Sequence, residues 1–424
     1  NGYKAYGPDG CQITSQAAAA ISAAIAGTDA FTGVKSMDFD EAVASGKVKW
    51  IEDAVLERYY DAVLAQSVNN LSDEQIAAAP LKLVYTPLNG TGLVPVTTVL
   101  ARAGVSDVTV VPEQEQPDGN FPTCPYPNPE IREAMQKGID LCEQVHPDLL
   151  LATDPDADRT GIAVPHKGEY VLLSGNEVGV LLSDWLAGRA AARGENVADK
   201  LVVTTIVSSS MLDALARKHG FELRRTLTGF KYIGEQIARL EEKGEQGRFL
   251  FGFEESYGYL SGTYVRDKDA VTASMMVAEM AAHYHKLGMT LLDALKALYE
   301  KYGYYKEKTL NLVMPGVDGV EKMKNLMAQL RRNPPEEISG VEVVRMRDYS
   351  DGSICVAGLG KVGTTPFSGS NVLYFELADG CTFIIRPSGT EPKIKIYLLV
   401  KGSDMAQCEE RIEKYFDYAN ALGK

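Results

Sequence analysis

The sequence predicts a multidomain α/β protein that closes with a smaller α+β domain, and three observations carry that expectation. The chain has 424 residues, too many for a single hydrophobic core, so two to four domains are expected. From Leu81 to Phe253, short apolar runs alternate with stretches of helical period, which is the mark of βαβ units. Beyond Tyr305 the order changes to strands in succession, a hairpin and a closing helix, as in an antiparallel sheet covered by helices.

Taken in order, residues 16–26 (QAAAAISAAIA) predict a helix with Ile21 and Ile25 on one face, and residues 50–66 predict another with Ile51, Val55, Leu56, Tyr59, Val63 and Leu64 in one stripe. Pro80 closes that region. LKLVY at 81–85 reads as a strand, TPLNGTG as a turn-rich loop, 93–102 as a helix and VSDVTVV as the next strand. Asn128-Pro129-Glu130 predicts a helix start, with the cap at Asn128 and proline in the first turn. The helix would carry Ile131, Met135, Ile139 and Cys142, followed by a buried strand at Leu149–Ala152. Gly175 opens a new apolar helix. Strands at 201–207, 221–227 and 248–253 then alternate with helices at 209–219 and 231–243. A long helical stretch covers 271–300, and a linker is expected at Tyr302–Tyr305. The last part predicts strands at 309–314, 341–346, 371–377, 381–386 and 394–400, with helices at 320–332 and 404–421. Asp379-Gly380 between two apolar runs marks a hairpin.

Composition narrows the function. Hydrophobic residues make up 45% and charged residues 24%, which is the makeup of a folded globular chain. Fifty-seven acidic against 43 basic residues give a net charge of −14, which argues against nucleic acid or an acidic membrane as the main partner. An anionic ligand would need basic side chains gathered locally. The six cysteines form no CxxC pair, so neither a zinc spacing nor a dense disulfide framework is indicated, and a reducing, cytoplasmic setting is expected. No apolar run approaches a membrane span and no signal segment opens the chain.

Four loops could carry chemistry. Thr153-Asp154-Pro155-Asp156-Ala157-Asp158-Arg159 follows a buried strand, where open α/β sheets bind ligands. Three carboxylates two residues apart can converge on one hard divalent cation. An EF-hand would need Gly at the sixth loop position and Glu at the twelfth, where this chain has Arg159 and Pro165. Arg159 beside the carboxylates suits a phosphate that the metal also touches. Gly252-Phe253-Glu254-Glu255-Ser256-Tyr257-Gly258 offers carboxylates and a hydroxyl suited to sugar hydroxyls, or is simply a polar turn. Lys268, in Arg266-Asp267-Lys268-Asp269, could move a proton or belong to a solvated charge run. Thr228-Gly229-Phe230-Lys231 lies where a strand passes into a helix, a place for an anion or only a tight turn. Arg386-Pro387-Ser388-Gly389-Thr390-Glu391-Pro392 sets hydroxyls, a glycine and an arginine between two strands, a phosphate cradle or plain turn chemistry.

These loops, in this order, resemble the α-D-phosphohexomutase superfamily of phosphoglucomutases and phosphomannomutases. TDPDADR looks like its metal loop, GFEESYG its sugar-recognition loop and RPSGTEP its phosphate-binding loop. ATDPDADR, GFEESYGYLSG and VRDKDAV are most similar to the longer bacterial-type phosphoglucomutases, and the resemblance covers essentially the whole chain. It implies three related three-layer α/β domains with mixed sheets and a final α+β domain around a central cleft. The expected partition is 1–66 as the end of domain 1, 67–174 as domain 2, 175–303 as domain 3 and 304–424 as domain 4.

By the same resemblance, Asp154, Asp156 and Asp158 match magnesium ligands and Arg159 the residue that holds the transferring phosphate. Thr228 and Gly229 match the loop on the domain 3 side, Glu254 and Ser256 the contacts to ring hydroxyls, and Lys268 a proton-transfer lysine. Arg386, Ser388, Gly389 and Thr390 match the clamp on the distal phosphate. In the family a phosphoserine loop precedes a segment like the NGYK that opens this sequence, so Lys4 matches a candidate general base. That serine lies outside the 424 residues, and these residues alone are expected to bind rather than turn over the substrate. The implied reaction interconverts hexose 1-phosphate and 6-phosphate, with glucose first. It runs through a phosphoserine enzyme with Mg2+ and a hexose 1,6-bisphosphate intermediate, and small sugar phosphates are the only partners implied. Phosphomannomutase, phosphopentomutase and glucose 1,6-bisphosphate synthase share most of these loops, and a non-catalytic sugar-phosphate binder is the alternative from another class.

Overall fold

The computed structural model describes residues 4–13, 15–68, 81–316, 318–388 and 392–423. Two compact units account for the chain. The first comprises 1–172, 230–252 and 258–287, and the second 173–229, 253–257 and 288–424.

The first unit is built on a five-stranded mixed sheet of β1 (Leu83–Thr86), β2 (Val108–Val110), β3 (Leu149–Thr153), β4 (Thr160–His166) and β5 (Glu169–Leu173), in the order β2-β1-β3-β4-β5. β1 is parallel to β2 and β3, and β3 is antiparallel to β4. β1 and β3 are buried along their whole length, as expected of strands covered on both faces, and this is why they read as unbroken apolar runs. The helix Arg132–Val145 lays Met135, Ile139 and Cys142 against Val84, Leu150 and Ala152 in one core. That helix begins at Arg132, not at the Asn128-Pro129-Glu130 start expected from sequence. Asn128 Oδ1 instead accepts from the Glu130 N–H at 3.1 Å, closing a local turn. The early helices are Ser15–Ala26, Phe39–Ala44 and Asp53–Leu64. Much of their apolar surface is exposed, with Ile25 at 66% and Phe39 at 56%.

In the second unit, β6 (Leu201–Thr205) and β7 (Glu222–Thr226) pair in parallel. The apolar helix opened by Gly175 runs to Ala192, its start fixed by a capping box in which Ser174 and Glu177 satisfy each other's backbone. Residues 253–257 of this unit hold the end of the strand β8 (Phe249–Glu254) and the turn after it, while the short β9 (Gly258–Leu260) belongs to the first unit. The 271–300 stretch is two helices, Ala270–Lys286 in the first unit and Leu291–Tyr302 in the second, with Gly288 at φ 71° between them.

The expected linker at Tyr302–Tyr305 is in fact the start of β10 (Tyr304–Val313). It opens an antiparallel sheet with β11 (Glu337–Ile338), β12 (Val341–Asp348), β13 (Ser353–Val356), β14 (Gly360–Thr364), β15 (Leu373–Leu377), β16 (Thr382–Pro387) and β17 (Lys393–Gly402). Its order is β10-β17-β16-β15-β12-β13-β14, with β11 beside β12. Helices Gly319–Arg332 and Met405–Ala421 cover one face, through Met323, Met327, Ile412 and Tyr415. The hairpin at Asp379-Gly380 is present, with Gly380 at φ 78°. Among the described residues no helix is long and apolar enough to cross a membrane, and all six cysteines are unpaired.

Candidate functional site

β3 ends at Thr153 and the chain turns at once through Asp154–Asp158 before β4 begins. Asp154 closes this turn on itself, its Oδ1 accepting from the N–H of Asp158 at 3.0 Å and of Arg159 at 2.9 Å. Ala157 sits in the left-handed region at φ 53°, and its carbonyl accepts from the Ala270 N–H at 3.1 Å. The result is convergence: Asp154, Asp156 and Asp158 each place a carboxylate oxygen within 4.8 Å of the other two. All three donors are hard oxygens of the kind magnesium takes, so the residues fit such an ion.

The charges around this loop are concentrated. Burial pushes the Asp154 carboxyl up to about 7, and the charges of Asp158 and Asp156 add to the rise. Burial acts the same way on Asp156, but its bonds to Lys4 and Asp154 outweigh it and hold that carboxyl low. Lys4 Nζ lies 2.9 Å from Asp156 Oδ2 and 2.6 Å from Asp158 Oδ2. Burial disfavours the Lys4 ammonium, yet the contacts to Asp158 and Asp156 hold it above its ordinary value. Lys268 Nζ reaches the same Asp158 oxygen at 2.9 Å and Asp267 at 3.3 Å. Arg159 stands at the rim, its Nε 3.8 Å from both Asp154 and Asp158 and its tip 3.5 Å from Glu130. A cavity of about 580 Å³ opens over these groups, lined among others by Lys4, Tyr6, Asp156, Asp158 and Lys268.

In the second unit Glu254 is buried at the end of β8, and its Oε1 accepts from the Gly229 N–H at 2.7 Å. The Thr228-Gly229 turn is thereby tied to the Glu254 loop. Thr228 Oγ1 is buried with no hydrogen-bond partner among the described residues. Burial, and then the Glu254 charge, push the Glu255 carboxyl up to about 7 against the opposing charge of Lys395. Thr205 Oγ1 lies 3.2 Å from Glu255 Oε2, and Ser256 is half-buried beside it. Arg386 stands opposite Lys395 across β16 and β17. Both are near the glutamates, since Arg386, Glu254 and Glu255 all act on the buried Tyr397 hydroxyl, which burial holds above its ordinary value. The Ser388 N–H donates to the Lys393 carbonyl at 2.8 Å. Gly389 and Thr390 lie outside the described residues.

The sequence candidates therefore gather in two sets, Lys4, Asp154, Asp156, Asp158, Arg159 and Lys268 in one unit and Thr228, Gly229, Glu254, Ser256 and Arg386 in the other. Sequence reasoning missed their supports. Tyr6 donates to Asp267 at 2.8 Å, and Tyr59 and Tyr264 both donate to Asp269, Tyr59 at 2.9 Å. Nothing in the spacing of three tyrosines pointed there. For Lys395 and Tyr397 the signal existed, because KIKIYLLV alternates and places Lys393, Lys395 and Tyr397 on one face.

Family models for phosphoglucomutase/phosphomannomutase match the chain at residues 57–168 (alpha/beta/alpha domain II) and 174–302 (alpha/beta/alpha domain III). A phosphoglucomutase of Staphylococcus saprophyticus is 31% identical over 415 residues, covering 97% of this chain and 73% of the relative. One of Staphylococcus aureus is 32% identical over 419 residues, covering 97% and 72%. Among solved structures, a phosphoglucomutase/phosphomannomutase family protein of Burkholderia thailandensis shares the fold with TM-score 0.55 at 16% identity, over 87% of this chain and 64% of that one. The open form of Paramecium parafusin, a phosphoglucomutase, does so with TM-score 0.55 at 17% identity, over 85% and 60%. Such a fold and such relatives define a phosphotransferase mutase. The chain belongs to the phosphoglucomutase/phosphomannomutase family.

Proposed function

We propose that this protein interconverts hexose 1-phosphate and hexose 6-phosphate, glucose being the preferred sugar, through a phosphoserine enzyme and a bound hexose 1,6-bisphosphate. The observation that carries the reading is the convergence of three aspartates, two of which, Asp156 and Asp158, meet Lys4 and Lys268 at 2.6–2.9 Å. The staphylococcal phosphoglucomutases, aligned over nearly the whole chain, supply the choice of glucose. The four-part division at residues 66, 174 and 303 and a cytoplasmic location belong to the same proposal.

Asp154, Asp156 and Asp158 would hold Mg2+, which when bound neutralises charge on the transferring phosphoryl group. Arg159, with its planar fork at the rim of the loop, donates to the phosphoryl oxygens. As the phosphoryl group passes from the serine oxygen to the sugar hydroxyl oxygen, the hydroxyl proton must leave, and Lys4 is placed to take it. Held by Asp156 and Asp158, Lys4 is an ammonium, so it serves as a base only when those carboxylates are engaged elsewhere, as ligation engages them. Lys268 carries the proton in the reverse sense. Glu254 and Ser256 bind ring hydroxyls, and Arg386 with Ser388, Gly389 and Thr390 holds the phosphate that is not reacting. Thr228 and Gly229 fix the Glu254 loop.

The test is turnover in the complete enzyme, with kcat/KM compared for glucose, mannose and pentose 1-phosphates. Glucose 1-phosphate is expected to lead, and Asp156→Ala to abolish Mg2+-dependent turnover. Undiminished turnover in that variant would reject the metal assignment.

A further inference from the structure

The turn-rich segment Pro87–Gly92 has no part in the chemistry above, yet its backbone is unusual and its contacts converge on the metal loop. Leu88 and Asn89 are consecutive non-glycine residues in the left-handed region, at φ 50° and 56°, a conformation L-residues rarely adopt. Asn89 is locked there from every side. Its N–H donates to the Gln114 carbonyl at 2.9 Å, its Nδ2 to the Gln116 carbonyl at 2.9 Å, and its own carbonyl accepts from the Asp118 N–H at 3.0 Å. What this rigid turn presents is Gly90-Thr91-Gly92. Thr91 donates twice to one atom, the Pro155 carbonyl oxygen, from its N–H at 2.9 Å and from its Oγ1 at 3.0 Å. A Cβ on Gly90 would fall 2.3 Å from Pro155 Cα, and one on Gly92 would fall 2.5 Å from Thr153 Oγ1. Beneath them the Tyr85 hydroxyl and Thr153 Oγ1 are 2.8 Å apart.

Pro155 lies between Asp154 and Asp156, so its carbonyl fixes the peptide that joins two of the three carboxylates. We infer that Leu88–Gly92 is a positioning element for the metal loop, setting the spacing of Asp154 and Asp156 through the Pro155 carbonyl. The inference rests on the proposed cation site and adds to it a determinant of affinity that touches neither the ion nor the sugar. Groups that orient metal ligands typically cost about 10- to 100-fold in affinity when lost. Thr91 is exposed, so its replacement separates this role from general stability.

The test is Mn2+ binding to the full chain by isothermal titration, with thermal unfolding recorded in EDTA for every variant. Thr91→Val is expected to weaken Mn2+ about tenfold while its unfolding temperature in EDTA stays that of the wild type, and Thr91→Ser to restore the affinity. Asp156→Asn controls for the site itself and should bind no Mn2+ at that locus. Wild-type affinity in Thr91→Val, with Asp156→Asn silent, overturns the positioning role and leaves the cation site standing. A wild-type chain that takes up no Mn2+, or an Asp156→Asn variant that binds normally, overturns the cation site and this inference together.

Discussion

Gly175 and Gly188 occupy the same helix, Gly175–Ala192, and the structure assigns opposite signs to the same substitution at the two positions. An alanine methyl at Gly175 would lie 2.1 Å from the Glu255 carbonyl oxygen and 2.8 Å from the Tyr257 nitrogen. The first distance is about 1.3 Å short of the 3.4 Å where ordinary contact begins. The obstacle is backbone, with no flexible end to swing aside, so either the helix start or the Glu254–Tyr257 turn must move by about that amount. Overpacking of this kind costs roughly 1–3 kcal/mol, which exceeds the 0.5–1 kcal/mol that alanine normally gains over glycine in a helix. Gly188 is exposed and an added methyl meets nothing within 4 Å, so only the gain remains. Denaturant unfolding should show Gly175→Ala less stable by about 1–2 kcal/mol and Gly188→Ala more stable by about 0.5–1 kcal/mol. Because the displaced turn carries Glu254 and Ser256, Gly175→Ala should also weaken glucose 1,6-bisphosphate by about tenfold or more, with Gly188→Ala unchanged. A Gly175→Ala protein at least as stable as wild type, binding as tightly, would refute the close approach of helix and turn.

Two further outcomes follow from buried groups. Burial pushes the Glu307 carboxyl from its ordinary 4.5 up to about 7, with the Glu177 charge adding to the rise, and its Oε1 has no hydrogen-bond partner among the described residues. The folded state then keeps a proton that the unfolded chain releases, so the contribution of this group to stability is full below about pH 4.5 and is lost as pH rises toward 7. The gap corresponds to on the order of 3 kcal/mol, and Glu307→Gln should remove most of that slope and unfold later than wild type at pH 8. Equal pH slopes in the two proteins would contradict the burial argument. Tyr59→Phe removes a donor 2.9 Å from the buried Asp269, and should cost about 1–3 kcal/mol in denaturant unfolding. A change within a few tenths of a kcal/mol would show that Asp269 does not depend on it.

What the sequence disclosed depended on how locally each feature is encoded. β1 and β3 were legible because strands buried on both faces leave unbroken apolar runs, and Asp379-Gly380 because a turn at positive φ selects glycine. The break at Gly288 was missed, since apolar residues of helical period continue on both sides of it. The hairpin strands β13 and β14 were missed, since their exposure leaves no alternating pattern to read. The start at Arg132 was misplaced because Asn128 and Pro129 favour a turn as readily as a helix cap. At the site, the DxDxD spacing disclosed the convergence of the three aspartates. The lysines from residues 4 and 268 that meet Asp158 are far apart in sequence, and only tertiary structure brings them together. The role of Thr91 was hidden for the same reason, because its partner is a backbone carbonyl that carries no residue-type signal.

Titrating glucose 1,6-bisphosphate into the protein in a calorimeter, with and without MgCl2, is the decisive test of the proposed sugar-bisphosphate site. One molecule should bind per chain, more tightly with Mg2+, and Glu254→Gln and Arg386→Met variants that retain the wild-type unfolding transition should bind more weakly. A folded chain that gives no saturable binding, or variants that bind as well as wild type, would contradict it.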